Sequence, residues 1–147
     1  ATIQAQVLDV LALAQRETGV AVVLITHDLG LVAQMADRVV VMYAGRVVES
    51  ATTEELFGES RHPYTAALMA SRPAAHRRGE QLHVIEGRPP NMADLPRGCP
   101  FEPRCASPLR EDRCRSEVPA LQASSDGRWS ACHFREHGLP ARQMEVR

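Results

Sequence analysis

The segment from Cys99 to Cys132 constrains this chain most. Its four cysteines stand at 99, 105, 114 and 132, spaced C-x5-C-x8-C-x17-C, and they are the only cysteines in the 147 residues. The intervening sequence has four prolines and few large apolar residues, chiefly Phe101, Leu109, Val118, Leu121 and Trp129. So short a segment cannot bury enough apolar surface to order itself; below about 40 residues, disulfides or metals are usually required. Something must cross-link these loops. Three states are open from the residues alone: a metal held by four thiolates, two disulfides in any of three connectivities, or four unligated thiols. The first part of the chain has a cytosolic character, and that compartment keeps thiols reduced. The spacing fits neither the tight CxxC pairs of common zinc sites nor the ferredoxin patterns. A zinc ion or an oxidised 4Fe-4S cluster on four thiolates carries about two negative charges either way. Arg97, Arg104, Arg113, Arg115 and Arg128 could offset either one.

The rest of the chain differs in character. All ten prolines follow residue 61, and every basic residue apart from histidine is Arg. Residues 1–58 carry three Arg against seven acids, a net charge of −4; residues 59–147 carry fourteen Arg against eleven acids, a net charge of +3. Two regions therefore meet near Gly58. An excess of +3 spread over a long segment is a weak basis for nucleic-acid binding, which usually needs a concentrated basic face. The 44% hydrophobic content suits an ordinary globular protein. The longest apolar runs, Val20–Ile25 and Val39–Ala44, fall far short of the roughly 18 residues of a membrane span, and no charged-then-apolar leader opens the sequence. Ala1 enters a helical pattern with no N-cap, so a piece of a longer protein is expected.

The first region reads as α/β. Ile3, Val7, Val10, Leu11 and Ala14 form the stripe of an amphipathic helix, which Gly19 stops. Val20–Ile25, apolar throughout and rich in β-branched residues, predicts a strand buried on both faces of a parallel sheet. Thr26, His27 and Asp28 end it with polar groups, and Asp28 caps a short helix over Leu29–Met35. Val39–Met42 predicts another strand, followed by a two-residue turn at Ala44-Gly45 into Val47 and Val48. Thr52-x-x-Glu55 is a capping box for a helix through Phe57. Ligands of open α/β sheets bind beyond the carboxyl ends of the strands, which makes His27 the chemical candidate of this region.

In the second region, Pro63 fits the first turn of a helix carrying Tyr64, Ala67 and Leu68, beside which His62 reads as structural. Residues 72–80 read as linker, and Leu82–Glu86 as a short strand.

Two runs carry a family resemblance. Leu24-Ile25-Thr26-His27-Asp28-Leu29-Gly30 and Ala36–Glu49 closely resemble the histidine-switch segment of ABC transporter ATP-binding subunits. His62-Pro63-Tyr64-Thr65, Gly87-x-Pro89-Pro90-Asn91, Gly98-Cys99-Pro100-Phe101-x-Pro103-Arg104-Cys105, Cys114 and Ala131-Cys132-His133 resemble the C-terminal extension of oligopeptide/dipeptide-type ABC importer ATPases. The resemblance implies the C-terminal part of a P-loop ABC ATPase domain over 1–58, then a small, loop-rich metal- or cluster-binding extension over 59–147. It further implies that His27 contacts the γ-phosphate of ATP and orients the attacking water, with ATP and Mg²⁺ held mostly by parts absent here. Members with four such cysteines hold a 4Fe-4S cluster, so Cys99, Cys105, Cys114 and Cys132 are the implied ligands, with zinc as the alternative; His133 is read as a neighbouring or surface group.

The expected function is that of an energy-coupling subunit for import of peptides or a related solute. It would be peripheral on the cytoplasmic face of the membrane, paired with a second ATPase subunit and permease subunits, and served indirectly by a substrate-binding protein. The phosphate-cradling loop with its Lys, the glutamine loop, the signature motif and the acidic strand that binds Mg²⁺ are all missing. Phosphoryl transfer needs those groups, so the chain alone is expected to be inert. The rival reading is a free-standing four-cysteine zinc or iron-sulfur module contacting nucleic acid.

Overall fold

A computed structural model describes residues 3–72 and 84–140. The chain divides into two compact units, Ala1–Met35 and Ala36–Arg147. In the first, α1 spans Ile3–Thr18. It stops where Gly19, at φ +68°, returns its N–H to the Gln15 carbonyl at 2.9 Å, a left-handed turn that glycine adopts without strain. A second helix, α2, covers Leu29–Met35, and its cap is Asp28, whose Oδ1 accepts the N–H groups of Gly30 (2.8 Å) and Leu31 (3.2 Å).

Val20–Ile25 corrects the sequence-based expectation. The segment joins no sheet, and Val23 and Ile25 are 89% and 95% exposed. A strand buried on both faces needs a partner along each edge, and this unit contains no strand among its described residues. Apolar β-branched sequence without a ladder to join has nowhere to bury itself.

The second unit mixes short helices with antiparallel strands. β1 (Arg38–Tyr43) and β2 (Arg46–Thr52) form a hairpin whose turn residues, Ala44 and Gly45, take φ of 48° and 71°. Two left-handed residues are what a two-residue turn between twisted strands requires. Downstream, α3 (Thr53–Gly58) starts on the expected capping box, in which Thr52 and Glu55 satisfy each other's backbone N–H groups. β3 (Glu59–Ser60) and α4 (Pro63–Ala70) follow. Further along lie a single 3-10 turn at Glu102–Arg104, α5 (Arg113–Ser116), β4 (Gln122–Ala123), β5 (Trp129–Ser130) and β6 (Leu139–Pro140). The larger sheet has the order β1-β2-β5-β4, and β3 pairs with β6; every pair is antiparallel. The expected parallel sheet is therefore not formed among the described residues. Of the Leu82–Glu86 strand, residues 82 and 83 lie outside the described residues, and 84–86 join no sheet. The linker at 72–80 also lies outside them from residue 73 on.

Two buried polar side chains tie this unit together. The Glu49 carboxylate, fully buried on β2, accepts the N–H groups of Arg61 (2.6 Å) and His62 (2.9 Å), which fixes the entry to α4. Burial raises its pKa against the pull of those donors. His62 is 1% exposed and caps α4: its Nδ1 accepts the Tyr64 N–H at 3.1 Å. With the proton then on Nε2, the other side of the ring bonds the Ala131 backbone.

Burial pushes the His62 pKa down from 6.5 to about 4, so the ring is neutral at pH 7. An unfolded His takes up its proton below about 6.5, whereas the folded one waits until about 4. The stability it contributes is complete above the first value and declines as pH falls toward the second. That window corresponds to roughly 3 kcal/mol. Urea unfolding across pH 7 to 4 should show the wild-type protein losing about that much stability relative to His62→Asn, which keeps a cap acceptor but cannot titrate. Parallel curves for the two proteins would contradict this account of His62.

Candidate functional site

The first unit presents His27 on the turn before α2. Thr26 Oγ1 accepts the Asp28 N–H at 3.0 Å, and Asp28 in turn caps the helix, so both neighbours of the ring are engaged. The imidazole itself is exposed and forms no hydrogen bond with another described residue. Both of its nitrogens are available to an incoming group.

The second unit gathers the cysteines. Phe101, 1% exposed, packs its ring against the touching pair Tyr43 of β1 and Tyr64 of α4, 5.3 Å from each centroid, and lies 5.9 Å from the His62 ring. Burying a side chain of this size contributes about 2 kcal/mol, and it anchors the short loop that carries Cys99 and Cys105. Arg104 completes the fastening: its guanidinium donates to the carbonyls of Ile85 (3.1 Å) and Glu86 (2.9 Å), holding the chain that leads into the Gly87 turn.

Gly98 answers a steric demand. The Cys99 N–H donates to the Cys114 carbonyl at 2.8 Å, and a Cβ on Gly98 would meet that same carbonyl oxygen at 2.3 Å. Only a residue without a side chain lets α5 approach so closely, and this approach joins two cysteines from distant sequence. The fourth arrives from the sheet side, where the Ala131 N–H donates to the Val48 carbonyl at 2.8 Å and sets the start of the Cys132 loop.

All four thiols line one cavity of about 20 Å³, together with His62, Glu102, Arg110 and His133. None is in a disulfide. Backbone N–H groups are directed at three of the sulfurs: Phe101 and Glu102 at Cys99, Ser107 at Cys105, and Phe134 at Cys132. Such donors favour an anionic sulfur. Burial opposes them and prevails, raising Cys99, pushing Cys105 up to about 11 and Cys132 up to about 12. A cation inside the cavity would reverse that balance, because a coordinating thiol is deprotonated outright. Yet no three His, Cys, Asp or Glu side chains among the described residues are grouped to chelate one ion. Four thiols have the chemistry of a four-thiolate donor set, but in this arrangement they do not converge on one ion, and the cavity is no larger than one or two waters require.

The arginines are distributed differently from the sequence-based expectation. Arg104 is spent on the carbonyls of Ile85 and Glu86, Arg113 pairs with Glu117 (3.2 Å), Arg115 with Glu102 (3.1 Å), and Arg128 with Asp126 and the Glu59 carbonyl. Arg97 is exposed. Arg110, which the pattern did not single out, borders the thiols. No signal short of the tertiary fold distinguishes it from its neighbours. His133 lines the cavity too, with Nε2 at 3.1 Å from the Glu117 carbonyl.

Residues 48–114 match the family described as the oligopeptide/dipeptide transporter C-terminal region. The chain is 47% identical over 133 residues to the dipeptide transport ATP-binding protein DppD of Escherichia coli K12, a match covering 90% of this chain and 40% of that protein. It is 45% identical over 137 residues to a putative peptide import ATP-binding protein of Brucella ovis, covering 89% and 40%. With the oligopeptide transport ATP-binding protein OppD of Mycobacterium bovis the identity is 49% over 132 residues, covering 89% and 21%. The chain therefore spans well under half the length of these relatives.

The close approach at Gly98 has a measurable consequence. Gly98→Ala forces the Cys99 and Cys114 backbones apart, and overpacking of this kind costs about 1–3 kcal/mol. The urea midpoint should fall accordingly, and an unchanged midpoint would show that the two segments do not pack as described.

Proposed function

We propose, from the match of residues 48–114 to the oligopeptide/dipeptide transporter C-terminal region, that this chain is part of an ATP-binding subunit that powers import of peptides or a related solute. What carries the reading is identity of 45–49% to peptide-transport ATP-binding proteins along about nine-tenths of the chain. On this reading, residues 1–58 complete an ATPase domain and 59–147 form its extension. ATP and Mg²⁺ are bound mostly by regions of the subunit outside this chain. His27 senses the γ-phosphate; its exposure and the engaged neighbours on either side support that role. A neutral imidazole can donate to a phosphate oxygen through one nitrogen while holding the attacking water through the other. The subunit works peripherally on the cytoplasmic face of the membrane with a second ATPase subunit and permease subunits. No helix among the described residues is long and apolar enough to cross a membrane.

The extension, on the same reading, holds a 4Fe-4S cluster on Cys99, Cys105, Cys114 and Cys132. Four thiols facing one cavity, three of them with N–H donors at sulfur, support it. Zinc is the second reading, favoured by the small cavity. The chain's own contribution is the same for both: it half-buries the four sulfurs and directs backbone donors at three of them.

Two outcomes test these assignments. In the complete subunit, His27→Ala should leave nucleotide binding largely intact and abolish transport, whereas normal transport would remove His27 from the mechanism. Anaerobically purified protein should be brown and contain iron and sulfide; colourless protein with stoichiometric zinc would replace the cluster.

A further inference from the structure

Among the described residues, one guanidinium borders the four-thiol cavity, that of Arg110. Its Nη1 lies 3.3 Å from the Cys105 carbonyl oxygen and 3.4 Å from that of Glu102. Its own loop is held, since the Arg110 N–H donates to the Ser107 carbonyl at 3.2 Å and the Leu109 N–H to Ser107 Oγ at 3.3 Å. The nearest acid, Glu102, stands 3.8 Å from Arg110 but 3.1 Å from Arg115, which is therefore its closer partner. Arg110 and Arg115 thus share the Glu102 carboxylate, and Arg115 also reaches Asp112 at 3.4 Å, so Arg110 is the more loosely paired of the two guanidiniums. Lining the cavity with it are four sulfurs, three of them with backbone N–H donors, the Glu102 carboxylate, and, among the described residues, no other basic side chain apart from His62 and His133. His62 is neutral at pH 7.

A centre of four thiolates around zinc or an oxidised 4Fe-4S core carries about two negative charges. Sequestered charge of that kind requires a counter-charge or it is not retained. We propose that Arg110 is the positioning residue that supplies this counter-charge, placed by the Ser107–Arg110 loop against the Cys105 side of the centre. This inference rests on the reading that the four thiols hold a metal centre. Arg110 touches no metal in this scheme. It acts through the field at the sulfurs and through the Cys105 carbonyl, and its partly exposed side chain, 39% accessible, makes that action sensitive to charge more than to packing.

The test compares wild-type protein with Arg110→Gln and Arg110→Lys, all purified anaerobically. Metal and sulfide content of the wild type reports on the centre itself; differences among the three proteins report on Arg110. If the wild type holds iron and sulfide, loss of a nearby positive charge should move the midpoint potential of Arg110→Gln to a more negative value, with Arg110→Lys close to wild type. If it holds zinc, Arg110→Gln should surrender the metal to a chelator about tenfold more readily, and Arg110→Lys should not. Equal potentials, or equal chelation, in wild type and Arg110→Gln would overturn the proposal. So would a parallel loss in both variants, which would indicate a shape requirement instead of charge. Wild-type protein without any metal would remove the centre and the role of Arg110 together.

Discussion

The second unit depends on the seating of Phe101 between Tyr43, Tyr64 and His62. Without that ring, the loop from Gly98 to Cys105 has no apolar anchor against the Tyr43–Tyr64 pair that joins the hairpin to α4. The flanking residues use the anchor. Gly98 admits the Cys114 backbone on one side, while Arg104 holds the preceding chain by its carbonyls on the other. His62 adds the last link, because one face of its ring caps a helix and the opposite nitrogen reaches the residue before Cys132. One aromatic plug and one neutral histidine thus bring four distant thiols to the same space.

That arrangement is costly in isolation. Burial raises three of the thiols, and buried Glu49 is raised likewise, so this small core holds several groups that resist ionisation. Glu49 is compensated within the protein by two backbone donors. Three of the sulfurs have backbone donors, and Arg110 borders their cavity. A core built this way is consistent with the composition of the Cys99–Cys132 segment, whose scarce apolar residues leave cross-linking to supply what packing does not.

Local rules were readable in the sequence wherever one short-range interaction decides the structure. The Thr52–Glu55 box, the Asp28 cap, the Gly19 stop, the turn at Ala44-Gly45 and Pro63 opening α4 all stand where their residues put them. Val20–Ile25 failed because β-branched apolar sequence specifies a readiness to pair, and pairing needs partner strands. Glu49 and Arg110 were illegible for another reason. Both look like solvated surface charges in one dimension, and only the fold buries the first against α4 and sets the second beside the thiols. The cysteines themselves were legible by spacing and resemblance, whereas their meeting in one cavity is a property of Phe101, Gly98 and His62 acting together.

The central claim is that Cys99, Cys105, Cys114 and Cys132 serve a single centre. Native mass spectrometry of the anaerobically prepared protein, alongside the four single Cys→Ser variants, tests it most directly. The account predicts one mass increment for one metal group in the wild type, lost or sharply depleted in each variant. A wild-type increment that survives in any two of the variants would mean that the thiols act separately, and the shared cavity would then have no chemical role.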